Sequence, residues 1–235
     1  GNSNSNSSLF QRAIDNHLTI NYPLFPKFYG KIKGENYMII EYINGSTLQK
    51  IKKLQLVFNE KITIIFELLA IINYLHQNHF IYRDLKPDNV IIDSCKNAHV
   101  IDFDRMLKYD DTLEQLYHTS DFSSSFIAPE INSGTITYQS DMYSLGKMIY
   151  YIITEKCIKT DDNSLKELEK FQFLSKMCER CINEDYKQRP SILEIMFEFY
   201  LIYKQQINIS VIENDKYVKF INALITFDPN IKEKI

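Results

Sequence analysis

The sequence predicts an α+β domain that is mostly helical, and three observations predict it. Two short strand-like runs near the start flank a turn that carries glycine, a long stretch of helical apolar period follows, and beyond one polar loop and a second strand pair most of the chain returns to helical periodicity. With 235 residues, 45% of them apolar and 24% charged, the chain can bury a sizeable single core.

Residues 1–8 are an Asn/Ser tract with too little apolar surface to order itself, and a flexible segment is expected there. A helix is expected from Leu9 to about Ile20, ending before Asn21-Tyr22-Pro23 because the residue preceding proline is pushed away from helical angles. Lys27 to Ile32 and Tyr37 to Tyr42 read as two strands of a hairpin whose turn contains Lys33-Gly34-Glu35-Asn36. Glu41 to Leu48 reads as a strand end and a glycine turn before a helix. Ile65, Leu68, Leu69, Ile72 and Leu75 then recur at helical spacing within a helix from about Asn59 to Asn78, apolar enough to run through a core. Val90 to Asp93 and Ala98 to Ile101 form a second, small hairpin, the apolar run Met148 to Ile153 fits a fully buried helix, and helices are expected from Leu165 to Ile182 and from Ile192 to about Tyr203.

A formal net charge of −3 gives no reason to expect nucleic acid or an acidic membrane surface as a partner, and no apolar run has the length of a membrane span. The first residues lack the apolar stretch of a signal peptide, so a cytoplasmic location is expected. The four cysteines include one close pair, Cys178 and Cys181, but no second pair or His pair completes a zinc site; reduced structural thiols in an apolar helix are expected. His79 and His99 read as structural rather than ligating.

The chemistry lies in Ile81-Tyr82-Arg83-Asp84-Leu85-Lys86-Pro87-Asp88-Asn89, followed shortly by Ile101-Asp102-Phe103-Asp104. One loop carries an Asp, a Lys and an Asn, and a second Asp stands behind it. Phosphoryl transfer needs an aimed nucleophile, charge compensation and metal ions on the phosphates, for which oxygen-donor side chains suit Mg²⁺. The run Arg-Asp-Leu-Lys-Pro-x-Asn, a short hairpin and Asp-Phe-x together resemble the catalytic and metal loops of eukaryotic-type Ser/Thr protein kinases.

The resemblance covers about Leu9 to Tyr203 and implies a protein-kinase-like fold, with a mainly α-helical large lobe (44–204), a remnant of the small lobe and the hinge (9–43), and a tail or the start of another module (205–235). It implies that Asp84 is the catalytic base, that Lys86 neutralises the transferring phosphoryl group, and that Asn89 and Asp102 hold Mg²⁺ beside ATP. It makes Ile40 the gatekeeper, with the backbone of Glu41 and Ile43 on the adenine edge. Arg83 would pair with a phosphorylated activation segment, Thr119 being one candidate acceptor, and Ser123 would contact the catalytic Asp and Lys, as in kinases that act on Ser or Thr of protein substrates. Glu130 and Arg189 would form a buried structural pair, and Asp141 would bond backbone groups beneath the catalytic loop.

The sequence departs from the family pattern in several places. Tyr82 replaces a more usual His, and Asp104 stands where Gly is usual, which implies a stiffer metal loop. There is no Gly between Gly1 and Gly30 and no Lys before Lys27, so a Gly-rich loop and a small-lobe lysine are not found; Ala13 stands where the family carries a Glu. Two readings follow: part of an ATP-dependent protein kinase, or a truncated pseudokinase that serves as an interaction module. The oligomeric state is open. On the kinase reading the active protein carries phosphate between residues 119 and 125, and mass spectrometry of that peptide tests it.

Overall fold

The computed structural model describes residues 2–109, 125–158, 164–204 and 206, and the first side chain it describes is that of Phe10. Helix α1 (Asn2–Thr19) leads, followed by a two-stranded antiparallel hairpin of β1 (Phe28–Lys31) and β2 (Met38–Ile40). The helix begins inside the Asn/Ser tract that composition places outside any element. Once a packed turn has nucleated a helix, each further residue adds a backbone hydrogen bond, so residues of modest propensity can be drawn in. Its anchored face carries the buried Ala13, Ile14, Asn16 and His17, and Ile20, just past its end, is buried as well.

Across the hairpin Phe28 lies opposite Ile40 and Lys31 opposite Met38, with a bulge between Phe28 and Gly30. Gly30 takes φ 140 there, a conformation that side chains other than glycine's rarely adopt. The segment read as a glycine turn contains a strand, β3 (Gly45–Thr47), which pairs with β5 (Val90–Asp93); β5 in turn pairs with β6 (Ala98–Val100). The expected second hairpin is therefore part of a three-stranded sheet in the order β3-β5-β6. A Cβ on Gly45 would lie 2.3 Å from the Ile92 carbonyl oxygen, so this close approach needs glycine.

A 3₁₀ turn (Leu48–Lys50) and the short α2 (Ile51–Leu54) lead to α3 (Phe58–Gln77), in which Ile62 through Asn73 are all buried. The Glu60 carboxylate accepts the Val57 amide at 2.9 Å and fixes the start of this helix. Helix α3 packs against α5 (Tyr138–Thr154) and α7 (Ile192–Tyr203), and α5 packs against α6 (Gln172–Cys181). The contact of α5 with α6 depends on Gly146, where a Cβ would stand 2.7 Å from that of Cys181. Cys178 and Cys181 are both buried and free, and burial pushes the Cys181 thiol up to about 12, as expected of inert packing groups.

The helix expected from Leu165 to Ile182 is divided into a 3₁₀ segment (Ser164–Phe171) and α6. The break falls at Phe171, whose backbone leaves the helical region (φ −124, ψ 62) and whose ring stacks on Phe58 at 5.0 Å between centroids. Packing onto α3 here overrides local periodicity. Among the described residues no helix is long and apolar enough to cross a membrane.

Glu130, in the short α4 (Pro129–Asn132), and Arg189 form a buried fork: Nη1 reaches Oε1 at 2.7 Å and Nη2 reaches Oε2 at 2.9 Å. Arg189 also donates to the carbonyls of Asn183 and Gln139, and Ser140 Oγ donates to Glu130. Both charges are desolvated and fully engaged, so removing one leaves the other stranded. Glu130→Ala is expected to destabilise the fold by roughly 3–5 kcal/mol, read as a fall in the urea midpoint with an unchanged slope.

Candidate active site

The candidate site is built from the inside outward, beginning with Asp141 near the start of α5. Its side chain is fully buried and accepts the Tyr82 amide on Oδ2 at 2.9 Å and the Arg83 amide on Oδ1 at 2.8 Å. His76 Nε2, on the last turn of α3, lies 2.9 Å from the same Oδ2. One carboxylate thus joins two helices to the first residues of the candidate catalytic loop. Arg83 sits at φ 71, a costly conformation for a long side chain that persists because both flanking groups are held.

Above this anchor Asp84 and Asn89 are buried, while Lys86 is partly exposed. Asp84 Oδ2 receives Lys86 Nζ at 2.8 Å and Asn89 Nδ2 at 2.9 Å, and the same amide nitrogen also reaches the Asp84 carbonyl at 3.0 Å. Pro87–Asn89 forms a 3₁₀ turn that brings Asn89 back over Asp84. The loop is bounded by β4 (Phe80–Ile81), which pairs with β7 (Leu107–Lys108).

Asp102 stands on the facing loop at φ 67. Partial desolvation of its carboxyl, and next the hydrogen bond it shares with Asp104, raise its pKa; Lys86 opposes the shift. Among the described residues no three His, Cys, Asp or Glu side chains gather as a metal cluster. The donors the two loops offer are oxygens: the Asp102 carboxylate, which feels the charge of Lys86, the Asn89 amide oxygen left when its nitrogen bonds Asp84, and Asp104 Oδ1, which is buried without a hydrogen-bond partner. Hard oxygen donors with an orphaned carboxylate oxygen fit Mg²⁺.

The left-handed residue of this loop is Asp102, whereas Asp104, which replaces the usual Gly, has no positive φ. The loop is therefore built without needing glycine at that position. Behind it runs a file of rings, with Phe28 on His17 at 5.6 Å, His17 on Phe103 at 4.8 Å, and Phe103 on Tyr82 at 6.1 Å. Tyr82 donates its hydroxyl to the Ile101 carbonyl, and burial pushes its phenol well above the ordinary range. Burial lowers the His17 pKa, with Asp102 opposing.

Other sequence-predicted positions are less concentrated. The Glu41 amide donates to the Lys27 carbonyl at 2.7 Å, and its carboxylate accepts the Lys27 amide at 3.1 Å. Ile40 is 38% exposed and Ile43 half-buried. Thr119 and Ser123 lie outside the described residues. Arg83 is buried and donates to the Arg105 carbonyl at 3.1 Å. Sequence reasoning missed Arg105, whose Nε lies 3.9 Å from Asp84 Oδ2, and Asn16, which bonds the loop that follows Asp102. The signal for Asn16 was present: Asn and His occupy apolar-stripe positions of α1.

Comparison with known proteins decides what this constellation belongs to. Residues 16–232 match the family described as the protein kinase domain. The chain belongs to that family.

The kinase domain is 31% identical over 170 residues to serine/threonine-protein kinase D of Synechocystis, a match covering 66% of this chain and 33% of the relative. It is 34% identical over 138 residues to CBL-interacting protein kinase 21 of Oryza sativa, covering 57% and 26%. It is 28% identical over 165 residues to serine/threonine-protein kinase PknB of Mycobacterium tuberculosis, covering 66% and 26%. The chain thus spans a third or less of the length of these relatives. The domain match continues past Tyr203, where the motif resemblance ended.

Since Asp141 satisfies two buried amides at once, Asp141→Leu is expected to cost on the order of 4 kcal/mol. Chemical denaturation followed by circular dichroism measures it.

Proposed function

We propose that this kinase domain transfers the γ-phosphoryl group of ATP to Ser or Thr hydroxyls of protein substrates, with Mg²⁺. The observation that carries the reading is the Asp84 carboxylate gripped on one oxygen by Lys86 and Asn89. Among the described residues both of these bonds fall on Oδ2, which leaves Oδ1 to orient the acceptor hydroxyl and take its proton. Lys86, 26% exposed, reaches from Asp84 toward the space where a transferring phosphoryl group develops charge. Mg²⁺, when bound, would neutralise the phosphate oxygens; Asp102 and the Asn89 amide oxygen would hold it. The residues expected to meet adenine are Ile40, Glu41 and Ile43, and the Ser/Thr preference rests on the relatives and on the hydroxyl at Ser123.

Protein substrates and ATP are the partners this reading implies. The exposed free thiols Cys95 and Cys157 suit a reducing compartment, and we place the activity in the cytoplasm. One observation favours a second reading, a non-catalytic interaction module: Tyr29, Tyr37, Ile39 and Ile40 are exposed on the β1–β2 hairpin.

Two measurements separate the readings. Mg·ATP at about a hundredfold excess over its dissociation constant should stabilise the protein by about 2.7 kcal/mol in a thermal shift. Asp84→Asn should retain that shift and reduce phosphorylation of a generic Ser/Thr peptide by at least about a hundredfold. No shift, or full transfer by Asp84→Asn, removes the proposed mechanism.

A further inference from the structure

Asn16 lies on α1 far from the catalytic loop in sequence, yet its side chain ends on the metal loop. It is buried, 6% exposed, and its Nδ2 donates to the Phe103 carbonyl at 2.6 Å and to the Met106 carbonyl at 3.0 Å. Both amide hydrogens are thereby engaged. The two carbonyls belong to a stretch between β6 and β7 that has no ladder of its own; its internal bond, from the Met106 amide to the Phe103 carbonyl, is long at 3.4 Å. Phe103 and Met106 are themselves buried, so water does not readily substitute for the amide.

We infer that Asn16 is a positioning residue for the Mg²⁺ site, acting through the backbone of Phe103 to hold Asp102 in its orientation; this rests on the function proposed above. The Phe103 carbonyl belongs to the residue next to Asp102, which is held at φ 67. Turning Asp102 away from the loop carrying Asn89 requires the following peptides to turn as well. That movement breaks both bonds to Asn16, leaving the buried Met106 carbonyl without its donor and the Phe103 carbonyl with no more than the long bond from the Met106 amide. His17, one residue along α1, presses on the Phe103 ring from the same side, so the amide and the ring contact oppose the same movement. An apolar residue at position 16 fills the space but offers no donor. Groups that orient a metal ligand from behind typically change metal affinity by 10–100-fold when lost.

The test reads cation affinity directly. Thermal stabilisation at fixed, saturating ADP is titrated with Mg²⁺ for the wild type, Asn16→Leu, Asn16→Ala and, as a control for general destabilisation, Leu174→Ala in the buried face of α6. Both Asn16 variants should raise the Mg²⁺ half-saturation by about tenfold, whereas Leu174→Ala should lower the melting temperature without moving it. If Asn16→Leu does not fold, Asn16→Ala carries the same readout. A wild-type half-saturation in a folded Asn16 variant, or an equal rise in Leu174→Ala, overturns the inference and leaves the proposed function standing. A wild type whose nucleotide stabilisation ignores Mg²⁺ overturns both.

Discussion

The candidate catalytic segment of this domain depends on one buried carboxylate. Asp141 satisfies two consecutive amides of a loop whose second residue has a left-handed backbone, and without those bonds the conformation at Arg83 would have little to sustain it. Everything above inherits that position: Asp84 follows Arg83, Lys86 and Asn89 close on Asp84, and the facing loop is hung from Tyr82 through Ile101 and Phe103. Its own rigidity comes from α5, which is pinned by Gly146 against α6 and by the Glu130–Arg189 fork near its start. Core packing is thus converted into the placement of a few polar atoms.

The helical lobe was legible in the sequence because its elements are long and their apolar period agrees with their burial. Helix α3 is the plainest case, where the periodic leucines and isoleucines sit in a run buried on all sides. Asp84, Lys86 and Asn89 were legible for a different reason: their spacing is short enough that a single turn brings them together. What could not be read was set by partners distant in sequence. Gly45–Thr47 becomes a strand because β5 offers an edge, and the helix expected at Leu165 is interrupted because Phe171 stacks on Phe58. The Asn/Ser tract shows a further limit, since composition describes a segment by itself and a preformed helix can extend into it.

Polar residues on the buried face of α1 carry a related lesson. Asn16 and His17 occupy positions where periodicity calls for apolar groups, and each is matched by something specific, two carbonyls in one case and an aromatic ring in the other. A buried polar side chain is tolerated only where its hydrogen bonds are made, so such residues mark where one segment dictates the conformation of another. The free thiols of α6 are the contrast, buried and chemically quiet because desolvation of the thiolate outweighs the nearby Arg180 and Arg189 charges at Cys181 and the Tyr150 backbone at Cys178.

The pairing of β4 with β7 has a broader consequence. Phe80 lies opposite Lys108 and Ile81 opposite Leu107, so the chain leaves this short ladder, passes through the catalytic loop, the hairpin and the metal loop, and returns to its starting point. Asp84, Lys86, Asn89 and Asp102 are thus carried on one closed loop of polypeptide. The segment is also held along its length, by β3 on β5, by Asp141 on Tyr82 and Arg83, and by Asn16 on Phe103 and Met106. Because the ends are joined, the two loops that carry Asp84 and Asp102 cannot drift far apart in any opening that leaves the β4–β7 ladder intact, so the candidate site's two halves stay neighbours even when one of them loosens.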